Sequence, residues 1–290
     1  MQAYSCKDIR ILTTNKRKIM DKIAYVVIVL LFIYSPEIRA QGCNDAGLCT
    51  LGELDGQGLS GNSKYNTQLS YTFGLGEQQV LHNIIQLEQR FRLFQSRLQA
   101  FVQLPFHYNY GTLGYTYGLG DVSLGMNYHF ARKKELLATA MVAAKLPSDD
   151  ASKTYEGKGM PMAYQTSLGT YDLALGVNVF YGKWQFGAGY LKSFGTNNNY
   201  FDYNEWPDND DALEFVEMSE LRRGDDAMLR VNRFFTTKKN RYNVSLLTLY
   251  RIQKDQVLQD GQSIALDHSD GLTLNLVLGY QKVLKNPREW

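Results

Sequence analysis

Beyond Gln41 the chain holds no apolar run near the ~20 residues that a membrane-crossing helix needs, so that part is not a helical membrane protein. Cysteine is scarce: of the three, Cys6 lies close to the start, and Cys43 and Cys49 stand together in QGCNDAGLC. A metal site there would need further ligands nearby, and none is evident. Ala40-Gln41-Gly42 lacks the aliphatic residue that lipid attachment at Cys43 would call for three positions ahead. Histidine is also rare, and His82, His107, His129 and His268 fall in no metal-ligand spacing. No Gly-x-Ser-x-Gly elbow is present. DNDDA lacks the glycine and closing glutamate of a calcium loop. No motif therefore proposes catalysis, a metal or a cofactor.

A basic surface is missing too. The whole chain has Lys+Arg 31 and Asp+Glu 29, but residues 1–40 hold seven of the basic and three of the acidic ones. The remainder carries 24 basic against 26 acidic residues. No basic stripe is left for nucleic acid.

What is present begins with a leader. Met20-Asp21-Lys22 precedes an apolar run over 23–34, then SPEIRA up to Ala40. A basic start, an apolar run of about a dozen residues and a small residue at the end are the parts of a secretory signal peptide. Residues 1–40 are read as that signal, with Met20 as the expected true start. An uncleaved anchor would need a longer run. Export through the Sec route follows, and in an oxidising compartment Cys43 and Cys49 are expected to form a local disulfide. Residues 41–63 form a short N-terminal periplasmic or plug segment, and 64–290 the main domain.

The main domain alternates. In GLGDVSLGMNYHF (118–130), Val122, Leu124, Met126, Tyr128 and Phe130 alternate with Ser123, Gly125, Asn127 and His129. Period 2 gives a strand with one apolar and one polar face. Ten such runs are read, at about 64–75, 83–94, 97–109, 120–130, 135–147, 167–181, 184–194, 226–235, 241–253 and 271–284. They are long for soluble strands, whose mode is ~5–6 residues, and match tilted membrane strands of ~9–11. After even-numbered strands the connections are tight, at 95–96, 132–134, 182–183 and 237–239. After odd-numbered ones they are mostly longer, above all at 148–166 and 195–225. Outer-membrane barrels have this one-sidedness, so the fold class is all-β, an antiparallel transmembrane up-and-down barrel of 10–12 strands. The apolar face then meets lipid. Phe106, Tyr108, Tyr110, Phe130, Tyr181, Trp184 and Tyr242 near strand ends fit interfacial girdles.

The polar face would line the lumen, because Arg or Lys facing lipid costs ~2–4 kcal/mol at mid-depth. It carries Gln86, Glu88, Arg90 and Arg92 on strand two, and Arg97, Gln99, Gln103 and His107 on strand three. Asp121, Asn127 and His129 follow on strand four, Arg230 and Asn232 on strand eight, and Arg251 on strand nine. Glu88, Arg90, Arg92 and Arg97 are expected to cluster near the periplasmic end, with Glu88 pairing Arg90 or Arg97. Gly125, Gly176, Gly187 and Gly189 share this face, leaving room for a ligand, a loop or the N-terminal segment, or relieving strain. The loop over 196–225 is acidic, with Trp206 and Phe215 interleaved. It reads as a solvated cap or a lid, and Asp210 or Asp211 could cap a short helix reaching Leu221.

Residues 118–130, AAKLPSDD (143–150) and LGTYDLALGVNVFYGKWQFGAGY (168–190) together resemble the outer-membrane barrels linked to the meta pathway of phenol degradation. These are relatives of the long-chain fatty acid channel, and QGCNDAGLC resembles the mature start of their Bacteroidetes members. The resemblance implies a Gram-negative outer membrane and uptake of small, hydrophobic or anionic compounds by a passive channel or binding barrel. The expected partners are outer-membrane lipid, lipopolysaccharide and the barrel-assembly machinery. Family barrels run to twelve strands, whereas this chain ends in KNPREW after Leu284, so ten strands or a missing hairpin are both open. The alternative function is a structural or surface-interaction barrel with a filled lumen.

Overall fold

A computed structural model describes residues 64–93, 97–133, 135–237, 240–259, 261–267 and 269–282. The expected signal over 1–40, the expected plug segment over 41–63 with Cys43 and Cys49, His268 and residues 283–290 lie outside the described residues. One antiparallel sheet dominates. Its strands in chain order are β1 (Tyr65–Leu75), β2 (Leu81–Leu93), β3 (Leu98–Gly111), β4 (Val122–Lys133) and β5 (Leu136–Leu146). They continue as β6 (Tyr171–Tyr181), β7 (Trp184–Phe194), β8 (Asp226–Thr236), β9 (Asn240–Arg251) and β10 (Gly271–Lys282). Each pairs with its neighbour in sequence, giving the up-and-down order of a nearly closed barrel. Among the described residues no register joins β1 to β10. The ten expected strands are these ten, within a few residues at the ends. The exception is strand six, which starts at Tyr171 rather than 167 because Ser167 and Leu168 are held by Asp121.

One strand had not been expected. The short strand Gly114–Leu119 folds back on the loop-side half of β3, pairing Tyr108 with Tyr117. β4 then continues along the other half, pairing Gln103 with Ser123. The two are one strand broken at Gly120-Asp121, and Gly120 still donates its N–H to the Pro105 carbonyl at 2.7 Å. The break gives GLGD its physical meaning. A Cβ on Gly118 would sit 2.1 Å from the Asp149 carboxylate, and one on Gly120 would sit 2.3 Å from the His107 ring. Glycine lets the outer loop and the histidine approach the backbone there.

The outward face inverts the rule for soluble proteins. Leu104, Leu124, Met126, Val142, Leu175, Val177 and Val244 are exposed in a middle band. Toward the tight turns this band ends in Tyr128, Phe130, Tyr181, Phe235 and Tyr242. Toward the long loops it ends in Tyr108, Tyr110, Tyr171, Phe194 and Tyr250. A contiguous apolar belt of this kind is far larger than a soluble monomer exposes, and its two aromatic edges match the girdles of a transmembrane barrel. No helix among the described residues is long and apolar enough to cross a membrane. The strands, at 11 to 14 residues in β1, β2 and β3, are long enough to do so when tilted.

Candidate functional site: the barrel interior

The inward residues of four strands begin polar at the tight-turn end and finish charged at the loop end. Read from the tight-turn end outward, β5 shows Thr139, Met141, Ala143, Lys145, and β6 shows Asn178, Gly176, Ala174, Asp172. β8 shows Asn232, Arg230, Met228, Asp226, and β9 shows Ser245, Leu247, Leu249, Arg251. β7 shows Gln185, Gly187, Gly189, Leu191. Within two of the hairpin pairs the register sets like residues side by side: Lys145 faces Asp172, Ala143 faces Ala174, and Asp226 faces Arg251. On these strands the interior therefore runs polar, apolar and ionic, with one exception: the buried Arg230 pairs across to Gly187 and Leu247.

The ionic zone lies at the loop end. Lys145 Nζ is 2.7 Å from Asp172 and 3.4 Å from Asp121. Arg223, from the loop between β7 and β8, bridges Asp172 at 3.5 Å and Asp226 at 3.4 Å. Arg251 Nε donates to Asp226 at 2.9 Å, and its guanidinium also donates to Asp255 at 2.5 Å. The chain of contacts runs Asp121, Lys145, Asp172, Arg223, Asp226, Arg251, Asp255, and all seven are buried. Each carboxylate takes further donors. Asp121 accepts from the Ser167 hydroxyl and, at 3.0 Å, the Leu168 N–H. Asp255 accepts the Gly224 N–H at 2.7 Å. This is what burying charge requires, and it fastens three outer loops to the barrel wall.

Above it the loops close into a cap. Tyr164 is fully buried among Val80, Leu113, Met160, Phe201 and Phe215. Its hydroxyl accepts the Leu113 N–H at 3.1 Å, and its carbonyl accepts from Asn109 Nδ2 at 2.9 Å. Trp206 Nε1 donates to the Gly159 carbonyl at 3.2 Å. Asn199 Nδ2 donates to the Ala151 carbonyl at 2.9 Å, tying the loop over 195–225 to that over 147–170. The acidic loop is thus held by its apolar residues, with Asp208, Asp210, Glu214 and Glu217 exposed. The expected helix to Leu221 is instead a single 3-10 turn, Asp210–Glu214, capped by Asn209. Phe215 leaves that turn to enter the apolar cluster, and so ends it. Burial works to raise the Asp149 carboxyl on the same loop. Hydrogen bonds from Lys153, the Asp150 N–H and Thr166 outweigh it and hold the group below its ordinary value.

In the middle zone Phe101, Met141, Ala143, Ala174, Leu191, Met228, Leu247 and Leu249 form one buried cluster. The four inward glycines sit beside occupied space. A Cβ on Gly125 would meet Phe101 at 2.4 Å, and one on Gly187 would meet the Asn178 side chain at 2.7 Å. One on Gly176 would meet the Met141 methyl at 3.2 Å, and one on Gly189 the Met228 methyl at 3.1 Å. The room these glycines leave is taken by neighbouring side chains, not by a loop or an empty pocket.

Of the residues singled out in the sequence, Gln86, Glu88, Arg90, Gln99, His107, Asp121, Asn127, Arg230, Asn232 and Arg251 are buried on the inward face. Arg92 and His129 are half-buried, and Arg97 is exposed in the turn before β3. Arg90 pairs with Glu88, whose other oxygen accepts from Gln103 Nε2 at 2.8 Å. The expected cationic cluster is therefore neutralised in part, and Arg97 is exposed rather than buried with it. His82 Nδ1 lies 2.9 Å from Asn109 Oδ1 beneath the cap. Arg223, Asp255, Asp172 and Asp226 escaped the sequence reading. A signal existed for the strand residues: opposite charges occupy the loop-side inward ends of β5, β6, β8 and β9. No grouping of three or more His, Cys, Asp or Glu suited to a metal ion occurs among the described residues.

No protein-family model matches the chain, and no curated relative does. Among solved structures it is similar to an outer membrane channel from Pseudomonas putida F1. The identity is 14%, the TM-score 0.45, and the match covers 74% of this chain and 90% of that one.

Proposed function

We propose that this chain is an outer-membrane barrel that takes up small compounds through its interior and is closed at rest by side chains. The repeated order of polar, apolar and ionic residues on β5, β6, β8 and β9 carries this reading. A barrel interior that served stability alone gains little from buried ion pairs, which apolar packing replaces at no loss or better. Here seven buried charges link into one chain at the loop end and fix the cap, apart from Glu88, Arg90 and Arg230 lower in the interior. The closure below it consists of Met141, Met228, Phe101 and leucines. Methionine is the most adaptable of core side chains. Such a layer can part around a solute with an apolar body while excluding ions. The pairing of Arg90 with Glu88 argues against a purely anionic preference. The resemblance of 118–130 and 168–190 to barrels that take up small hydrophobic compounds supports the same class. Its setting would be the outer membrane of a Gram-negative bacterium, reached by export and inserted by the assembly machinery, among lipid and lipopolysaccharide. The occupied glycine spaces favour a second reading, a filled barrel with no transport. Swelling of liposomes carrying the purified protein, with solutes graded in size and polarity, separates the two. Uptake that favours small, weakly polar solutes supports passage, and no uptake of any solute supports the filled barrel.

A further inference from the structure

The tight turns form a basic rim, on which Arg97, Arg132, Lys133 and Lys183 are exposed with Glu135 among them. A further cation sits on the wall itself. Arg233 on β8 pairs across to Trp184 at the start of β7, and Trp184 pairs across to Tyr181 at the end of β6. The preceding Asn232 is buried inward, so Arg233 belongs to the outward face, level with the aromatic edge. Its Cζ lies over the Trp184 ring, 4.5 Å from the centre, and 5.5 Å from that of Phe235. Phe186 stacks on Trp184 at 6.2 Å, and the Lys183 carbonyl accepts the Phe234 N–H at 2.9 Å. On a lipid-facing wall an arginine costs little only near the interface. The two rings hold the guanidinium at that depth. A guanidinium held by its face keeps its edge N–H groups for an acceptor in its plane, and the fork of those donors matches phosphate.

We infer that Arg233, with Lys183 beside it, is a site for the phosphodiester headgroup of an anionic phospholipid in the leaflet on the tight-turn side. The phosphate must come from lipid, because Arg233 lies on the face that meets acyl chains, at the aromatic level where headgroups begin. The lipid must carry net negative charge, because the rim cations attract it and oppose a headgroup ammonium. Glu135 stands on the adjoining turn, where its carbonyl accepts the Gly182 N–H at 3.0 Å. It tempers the field without reversing it, since Arg132 and Lys133 share that turn. The inference rests on the outward face meeting lipid, and it holds whether or not the interior conducts.

The test places the full chain in phosphatidylcholine vesicles doped with phosphatidylglycerol, phosphatidylethanolamine or phosphatidylcholine whose acyl chains are brominated, because bromine quenches a nearby tryptophan. The quenching that belongs to Trp184 is the part lost in Trp184→Phe. Every result is a ratio to brominated phosphatidylcholine in the same variant, so a change in Trp184 emission cancels. At low salt phosphatidylglycerol should be preferred roughly tenfold, and phosphatidylethanolamine should not be. Arg233→Gln should cut the preference about fivefold, the weight of one cation near an anionic surface. Lys183→Gln, at a more exposed and screened position, should cut it about twofold. Arg97→Gln, on the turn between β2 and β3, should leave it unchanged. Equal quenching by all three lipids overturns the site. An equal loss in Arg97→Gln makes the rim a diffuse charge and overturns it too. Loss of the preference to inorganic phosphate at constant ionic strength assigns the site to soluble anions and overturns the lipid. No quenching of Trp184 by any of them removes the wall from lipid and the site with it. A preference without solute flux in liposomes supports the site and sinks only the passage.

Discussion

Arg223 is the residue whose loss should free the cap without unfolding the barrel. It comes from the loop over 195–225, its side chain is 1% exposed, and it reaches Asp172 on β6 and Asp226 on β8. Each attraction is of order 4 kcal/mol at an effective dielectric of 20 and a separation near 4 Å. Desolvation of the guanidinium takes back much of that gain. In Arg223→Met neither carboxylate is orphaned, since Asp172 keeps Lys145 at 2.7 Å and Asp226 keeps Arg251 at 2.9 Å. The net cost therefore falls below the ~3–5 kcal/mol of a stranded buried charge and is set at about 2 kcal/mol. At 1.4 kcal/mol per decade this raises the open fraction of the loop about thirtyfold. Limited digestion by chymotrypsin, which does not read arginine, reports that fraction when opening is fast. Cleavage in the cap should accelerate by about that factor, while the gel shift between unboiled and boiled protein stays as in wild type. Arg251→Met, which removes one partner of Asp226 and the arginine bound to Asp255, should cost more. Unchanged protection of Arg223→Met would refute the latch, and so would loss of the folded gel band.

Gly125→Ala should destabilise the barrel by ~1–3 kcal/mol, the usual range for overpacking, and Phe101→Leu should restore much of that loss, read by thermal unfolding in detergent. Additive losses in the double variant would mean that the two do not share the space. Leu104→Arg, on the exposed band, should cost ~2–4 kcal/mol in a bilayer; an unchanged unfolding free energy in lipid would place that residue away from the acyl chains. Acid should loosen the cap through Asp149. Its folded carboxyl lies below the ordinary 3.8, so its stabilising contribution is complete above that value and fades as the pH falls through the lower folded one. Protection against pepsin at pH 4.5 and pH 3, with cleavage rates normalised to an unfolded substrate, measures this in wild type and Asp149→Asn, and the variant should lose part of the acid dependence.

The barrel wall was legible because period 2 and one-sided loop lengths are local signals. Leu124, Met126 and Tyr128 declare a face within five residues, and the hairpins at 95–96 and 182–183 declare an end. The interior was legible only where polarity alternates cleanly. On β9, Val244 to Tyr250 reads VSLLTLY, with leucines on both faces, so the inward Leu247 and Leu249 are hidden in the pattern. Phe101 is masked in the same way by Ala100 and Val102. The inward glycines could be placed but not interpreted, since what fills their space comes from other strands. The ionic zone joins residues as distant as Asp121 and Asp255, one of them from a loop. Nothing local announces Arg223 as their bridge. The short strand Gly114–Leu119 was lost because GYTYGL carries turn-like glycines at a strand's spacing.

All of this depends on which face of the wall meets lipid, and β4 decides it. Single nitroxide labels at 122, 123, 124, 126, 127 and 128, with the protein reconstituted in bilayers, can be relaxed by oxygen from the lipid phase or by a water-soluble nickel chelate. Oxygen accessibility should be high at Val122, Leu124, Met126 and Tyr128 and low at Ser123 and Asn127, following the exposure pattern of the strand. The opposite phase, or equal accessibility at all six sites, would contradict a barrel that turns its apolar face outward.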